Sequence, residues 1–281
     1  MPILSPARIV LIMSDEGLQV YIVGSNVKHI EFIPWETEFF SNHVEHVLRK
    51  KCGGKPVVVF NDMVEQHYRK ERIPKVGIGD RANVIKSRLS YVFPNSQIRA
   101  ALKLDKKNNI SADAPGDPYL FAAIPKSELF NKTFSSILAS GVRLIGFFLL
   151  PVEGTNLIDR LSKKINKENE TKSVWTIFIG QQSSGGLRQI VTRNGELALT
   201  RMTPIIDTDV EPRLWANEVS EELDATMSYV GRFGYKKEDG LDIIIISNTS
   251  THADLQNIIK IEADLHLMTS RDAADMLGVK I

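Results

Sequence analysis

The run Ile177-Phe-Ile-Gly-Gln-Gln-Ser-Ser-Gly-Gly-Leu-Arg begins as an apolar strand, breaks at Gly180 and passes through a small polar loop. Gly180 and Gly185 offer bare backbone, and Ser183 and Ser184 offer hydroxyls. Several ATPase folds hold a phosphate with such a strand, Gly/Ser loop and strand. A second stretch, Ser14-Asp15-Glu16-Gly17, places Asp15 and Gly17 at D-x-G spacing, which serves a phosphate hairpin or an ordinary turn between two strands. The other candidates are weaker. Gly53-Gly54-Lys55 resembles the end of a P-loop but precedes its strand, whereas a Walker loop follows one. Gly77-Ile-Gly79 lacks a third glycine. His43 and His46 share a helix face with no third ligand in view, so a solvated or capping face is expected. His252 is read at a helix cap made by Thr251 or Ser250. Glu218, Glu221 and Glu222 read as a charged helix face.

The chain has 281 residues, 43% apolar and 25% charged, the make-up of a soluble globular protein long enough for one large or two medium domains. Lys and Arg number 35 against 34 Asp and Glu, so no nucleic-acid surface is expected as the main business. The single cysteine, Cys52, excludes an internal disulfide and a thiolate metal cage, and fits the cytoplasm. No apolar run reaches the ~18 residues of a membrane span. A membrane anchor after Ile281 in the gene product is left open.

The elements that would position these residues repeat. Arg8 to Met13, Leu18 to Gly24 and Val27 to Ile33 read as three strands joined by tight turns. A helix follows over Trp35 to Lys51, with Phe39, Val44, Val47 and Leu48 on one face, and then the buried strand Pro56 to Phe60. In the second half, Val174 to Ile179, Leu187 to Arg193 and Glu196 to Thr203 again read as three strands. A helix over Pro212 to Gly231, with Leu214, Val219, Leu223 and Met227 inward, and a buried strand, Leu241 to Ser247, come next. Each half adds a helix and a strand: Lys126 to Ser140 with Val142 to Leu149, and Asp254 to Glu262 with Leu265 to Met268. Two similar α/β domains are therefore expected, over 1–170 and 171–281. The first carries an insertion at about 61–118, with a helix over Asp80 to Phe93 and a strand at Ile98 to Leu104. The polar Lys163 to Lys172 reads as a helix end and hinge.

This order resembles the actin-like (ribonuclease H-like) ATPase fold, and its local sequences resemble the PilM/GspL branch of it. Four passages carry the likeness: Tyr119-Leu-Phe-Ala-Ala-Ile-Pro-Lys126 with Ser140-Gly-Val-Arg-Leu-Ile-Gly146; the loop at Gly180 with Arg193-Asn-Gly195 and Thr200-Arg201; Asn217-Glu218 through Tyr229; and Ile73-Pro74 ahead of Arg81 to Pro94. The resemblance implies an α/β fold of duplicated domains with an inserted α+β subdomain. It also implies a nucleotide cleft built from two hairpins, each with a metal-positioning carboxylate, and a Gly-Gly turn on the adenine side. Here the second carboxylate position holds Ile179, and Ser247-Asn-Thr-Ser250 stands where Gly-Gly is expected. Asp15, Gly17, Gly180, Ser183, Ser184 and Gly185 would then line a degenerate cleft, with no bound cofactor, no metal and no catalysis expected.

The implied role is a scaffold, cytoplasmic and associated with the inner membrane. It would contact the motor ATPase and the membrane platform proteins of a type IV pilus or type II secretion machine. The insertion, basic through Arg81, Lys86, Arg88 and Arg99, is the expected partner surface. Homodimerisation stays open. The alternative is a nucleotide-binding actin-like ATPase, with Asp207 or Asp209 as replacement carboxylate, or a cytoskeletal filament protein.

Overall fold

A computed structural model describes residues 7–105, 115–166, 173–181, 186–203 and 211–280. The first half opens with strands β1 (Arg8–Met13), β2 (Gly17–Val23) and β3 (Val27–Pro34), then helix α1 (Phe40–His46) and strand β4 (Val57–Asn61). Next come β5 (His67–Ile73), α2 (Ile78–Val92), β6 (Ile98–Lys103) and β7 (Asp117–Ile124). Helix α3 (Glu128–Ser140), strand β8 (Leu144–Leu149) and helix α4 (Leu150–Ile165) follow. The second half runs β9 (Trp175–Gln181), β10 (Leu187–Arg193), β11 (Glu196–Thr203), α5 (Pro212–Arg232), β12 (Leu241–Ile246), α6 (Thr249–Ile258), β13 (Asp264–Met268) and α7 (Ser270–Leu277).

The two halves build the same five-stranded sheet, in the orders β3-β2-β1-β4-β8 and β11-β10-β9-β12-β13. In each, a three-strand meander is joined to a parallel strand: β1 pairs β4 with Ile9 opposite Val57, and β9 pairs β12 with Ile177 opposite Ile243. Tight turns set the meanders. Asn194 (φ 52°) and Gly195 (φ 79°) supply the two left-handed residues that a two-residue hairpin between β10 and β11 requires.

By compactness the chain divides into one unit of 7–22 with 29–147 and another of 148–281 with 23–28. The change-over after Phe147 precedes the expected 170/171 boundary because α4 packs with the second sheet. Its Leu161 shares a buried cluster with Ile244 and Met268. The fully buried carboxylate of Asp242 accepts hydrogen bonds from Ser162 Oγ (3.1 Å) and Asn166 Nδ2 (2.8 Å) of the α4 end, and from Ser173 Oγ (2.9 Å). On the other face, Ile177, Ile179, Ile243 and Ile245 pack with Val219 and Leu223 of α5 and Leu255 of α6. The apolar run in β12 is thus a strand covered on both faces. The first core joins Ile9, Leu11, Met13, Leu18 and Val20 to Val44, Val47 and Leu48, with Cys52 buried among them.

Helical faces differ from expectation at two places. α1 begins at Phe40, and its chain continues through a π-helical turn over Val47–Lys51. Phe39 takes a left-handed conformation (φ 51°) and is 73% exposed, so Phe40 fills the inward position in its place. In α5 the inward stripe is Trp215, Ala216, Val219, Leu223, Thr226 and Val230, and Leu214 is exposed. Trp215, one residue on, buries more apolar surface than Leu214 would.

The insertion is a sheet of its own. β7 lies between β5 and β6, antiparallel to both, so the inserted subdomain extends to Ile124, past the expected end at 118. α2 covers it: Val84, Ile85, Leu89 and Val92 pack partly buried over Ile73, Tyr119 and Phe121.

Candidate functional site

The first hairpin spends its residues on structure. Ser14 N–H donates to Gly17 O (3.0 Å), closing the turn, and Trp35 Nε1 donates to Ser14 O (2.9 Å). A Cβ on Gly17 would meet Ile33 O at 2.5 Å and the Phe32 ring at 2.7 Å. The glycine is therefore demanded by the close approach of β3, which accounts for the D-x-G spacing without a phosphate. Asp15 is exposed, and its Oδ2 accepts the Val64 N–H (2.8 Å), tying the loop after β4 to the turn.

The resemblance expects a carboxylate in the second hairpin at the position of Ile179. Ile179 is 0% exposed, opposite Gln189 on β10 and Ile245 on β12, and belongs to the core beneath α5. Gly180, the next residue, pairs with Arg188 and Ile246, and a Cβ there would press on the Phe178 ring at 3.1 Å. Ser183, Ser184 and Gly185 fall outside the described residues, as do Asp207 and Asp209.

Where Gly-Gly was expected, Ser247 and Asn248 lead into α6. Asn248 is the N-cap residue without a side-chain capping bond. Thr251 Oγ1 lies 3.0 Å from Ser247 Oγ and donates to Asn248 O (2.8 Å), so its hydroxyl turns back on the loop and does not cap helix N–H groups. His252 Nε2 is buried with no hydrogen-bond partner.

The remaining candidates divide. His43 does have a carboxylate, which spacing could not reveal: Nε2 donates to Glu31 Oε1 (2.6 Å), and Lys51 Nζ donates to Glu31 Oε2 (2.5 Å). Burial pushes the Glu31 carboxyl up, but the hydrogen bonds from Lys51 and His43 outweigh it and hold the group below its ordinary value. Glu222 is bound by Arg201 Nη2 (3.0 Å) and Thr203 Oγ1 (2.8 Å), while Glu218 and Glu221 are exposed on α5. No group of three or more His, Cys, Asp or Glu among the described residues is placed to hold a metal ion.

The basic residues of the insertion are mostly engaged within it. Arg81 Nη2 donates to Asp117 (2.9 Å), Arg88 Nε to Glu71 (3.0 Å), and Arg99 Nη1 to Phe93 O (3.2 Å); Lys86 is exposed. Arg81 and Arg88 thus fasten α2 to β7 and β5, a role that residue type alone could not show.

Two sheets of one topology, each a meander plus parallel strands, with an α+β insertion in the first, define an actin-like α/β protein. Among solved structures, the chain is similar to one from a PilM-PilN type IV pilus biogenesis complex. That match has a TM-score of 0.64 at 10% identity and covers 95% of this chain and 89% of that one. Two further matches have lower TM-scores of 0.48. One is a Bacteroides thetaiotaomicron protein with an actin-like ATPase fold (12% identity, 96% and 95% covered). The other is the cytoplasmic domain of EpsL, an inner-membrane component of the Vibrio cholerae type II secretion system (10% identity, 97% and 93% covered). No family model and no curated protein matches the sequence.

Proposed function

We propose that this chain is a non-catalytic scaffold on the cytoplasmic side of a bacterial inner-membrane assembly platform, in a type IV pilus or type II secretion machine. It would link the motor ATPase to membrane-spanning partners. The observation that carries the reading is Ile179: the position for the second metal carboxylate is a core residue of the second sheet. A buried isoleucine cannot ligate magnesium, and no ionised side chain takes that place without desolvation. The likeness, at TM-score 0.64 and over nearly the whole chain, to a chain of the PilM-PilN type IV pilus biogenesis complex supports the pilus side of the reading. No helix among the described residues is long and apolar enough to cross a membrane. The insertion, with its own sheet and helix, is the proposed partner surface. The test is co-purification from native cells, with motor ATPase and platform proteins identified among the captured species, using the full chain and a chain with 62–124 replaced by a Gly/Ser linker. The full chain should retain a partner that the shortened, folded chain loses. Retention by both moves the interface out of the insertion, and capture of no partner by the full chain contradicts the scaffold role.

A further inference from the structure

A strand at the edge of a sheet offers main-chain groups to any strand that reaches it, and proteins blunt such edges with charges, proline or bulges. Among the described residues, the three sheets end in six edge strands: β3, β8, β11, β13, β5 and β6. Five of them carry at least one charged side chain, such as Lys28 in β3, Arg201 in β11, Asp264 in β13, Arg69 in β5 and Lys103 in β6. β8 (Leu-Ile-Gly-Phe-Phe-Leu) carries none, and it has no proline. β13 takes the same place in the second sheet and is charged there, so the bare edge is particular to the first half.

Leu144 and Ile145 stand on opposite faces of the strand, yet each is 39% exposed. The strand is nonetheless held firmly in place. β4 pairs with one side, and Phe147 packs its ring against Phe130 (5.6 Å between centroids) and Phe134 (5.4 Å) of α3. No described strand pairs with the other side. Val57 N–H donates to Arg143 O (2.9 Å), so the main-chain groups of Arg143, Ile145 and Phe147 turn towards β4, and those of Leu144 and Gly146 turn outward. Two opposite charges flank the strand. Arg143 precedes it, and Glu153 stands in the first turn of α4, which follows it directly. Both are exposed, and neither joins an ion pair among the described residues. An antiparallel copy of β8 brings the Arg143 of each chain to the end of the strand from which Glu153 of the other follows, whereas a parallel copy sets like charges together.

We propose that β8 is the docking edge for a second copy of this chain, the two β8 strands pairing antiparallel about a two-fold axis at Gly146. That register sets the outward main-chain groups of the two Gly146 residues against each other. It places Ile145 beside Phe147 of the second copy and Leu144 beside Phe148 of the second copy, aliphatic against aromatic, with no charge in the ladder. Five strands from each copy then form one continuous sheet. The inference goes beyond the scaffold reading and needs no other protein.

Sedimentation equilibrium of the full chain, loaded at up to about 500 μM, reads the association, because a contact of one strand from each copy belongs with the weak interfaces below about 1,200 Å². A reversible monomer–dimer equilibrium with no larger species is expected, since a two-fold contact closes on itself. Leu144→Lys and Ile145→Lys, both at exposed positions, should each raise the dissociation constant at least tenfold while leaving the thermal midpoint in place. Arg143→Glu should raise it about threefold, and adding Glu153→Arg to that variant should restore it. In the parent chain, hydrogen exchange at the Leu144 and Gly146 amides should slow as concentration rises, a readout that needs no variant to fold. A chain that stays monomeric throughout would overturn the proposal. A dimer that both lysine variants leave intact, or whose formation does not slow exchange at these two amides, would overturn the location. A charge swap that fails to restore the dimer would overturn the antiparallel pairing.

Discussion

Ile179→Asp restores the carboxylate that an ATPase of this fold would need, and the structure predicts what it costs. Ile179 is fully buried between Gln189 and Ile245, so removing its side chain forfeits about 1.5–3 kcal/mol of apolar burial. The introduced acid must also leave water. Gln189, its neighbour across the ladder, is already bound by Thr226 Oγ1 (2.7 Å) and donates weakly to Glu222 O (3.4 Å). Burying the neutral acid without a good partner adds about 1–3 kcal/mol. The total, about 3–6 kcal/mol, is a large share of the roughly 5–15 kcal/mol by which domains are stable. The sign with pH follows from burial. Desolvation raises the folded-state pKa above the unfolded value, so the extra destabilisation is absent below the unfolded pKa and grows as pH rises towards the folded one. Urea unfolding followed by tryptophan fluorescence at pH 4.5 and pH 7.5 measures both effects, and Trp175 and Trp215 lie in the affected core. A variant as stable as the parent at both pH values, or one that gains magnesium-dependent ATP binding, would refute the placement of Ile179.

Leu223→Ala, at a fully buried α5 position, should cost roughly 2–5 kcal/mol in the same unfolding assay, whereas the exposed Leu214→Ala should change it little. Gly17→Ala should destabilise by about 1–3 kcal/mol with ATP present or absent, since its Cβ would strike Ile33 O at 2.5 Å; a loss seen only with nucleotide would restore a phosphate role. Glu31→Gln should flatten the acid limb of the stability–pH curve. The folded Glu31 pKa is depressed, so its contribution is present above the unfolded value and is lost as pH falls through the folded one; an unchanged acid limb would contradict the Lys51–Glu31–His43 cluster.

The duplicated order was legible because each half announces itself with turn residues and alternating strands, and because β12 is apolar throughout. The insertion sheet was less so. β5 (His-Tyr-Arg-Lys-Glu-Arg-Ile) carries too many charges to read as a strand, since its outer side is a free edge and only Glu71 and Ile73 are buried. α4 was hidden by Pro151 and Gly154, although the glycine serves packing: a Cβ there would meet Ile190 Cδ1 at 3.0 Å. Spacing could also show that Asp15 and Gly17 suit a turn or a phosphate. The contacts of Gly17 with β3 and of Asp15 with Val64 belong to tertiary structure, which one-dimensional spacing does not carry. For the same reason the cations of the insertion suggested an open basic face, while Glu71 and Asp117, distant in sequence, hold two of them.

The central claim is that the actin-like architecture persists here without its phosphate chemistry, and ATP turnover by the full chain with magnesium tests it most directly. The account predicts phosphate release no faster than the protein-free background, and no change on Asp15→Ala. A rate clearly above background that Asp15→Ala abolishes would contradict it.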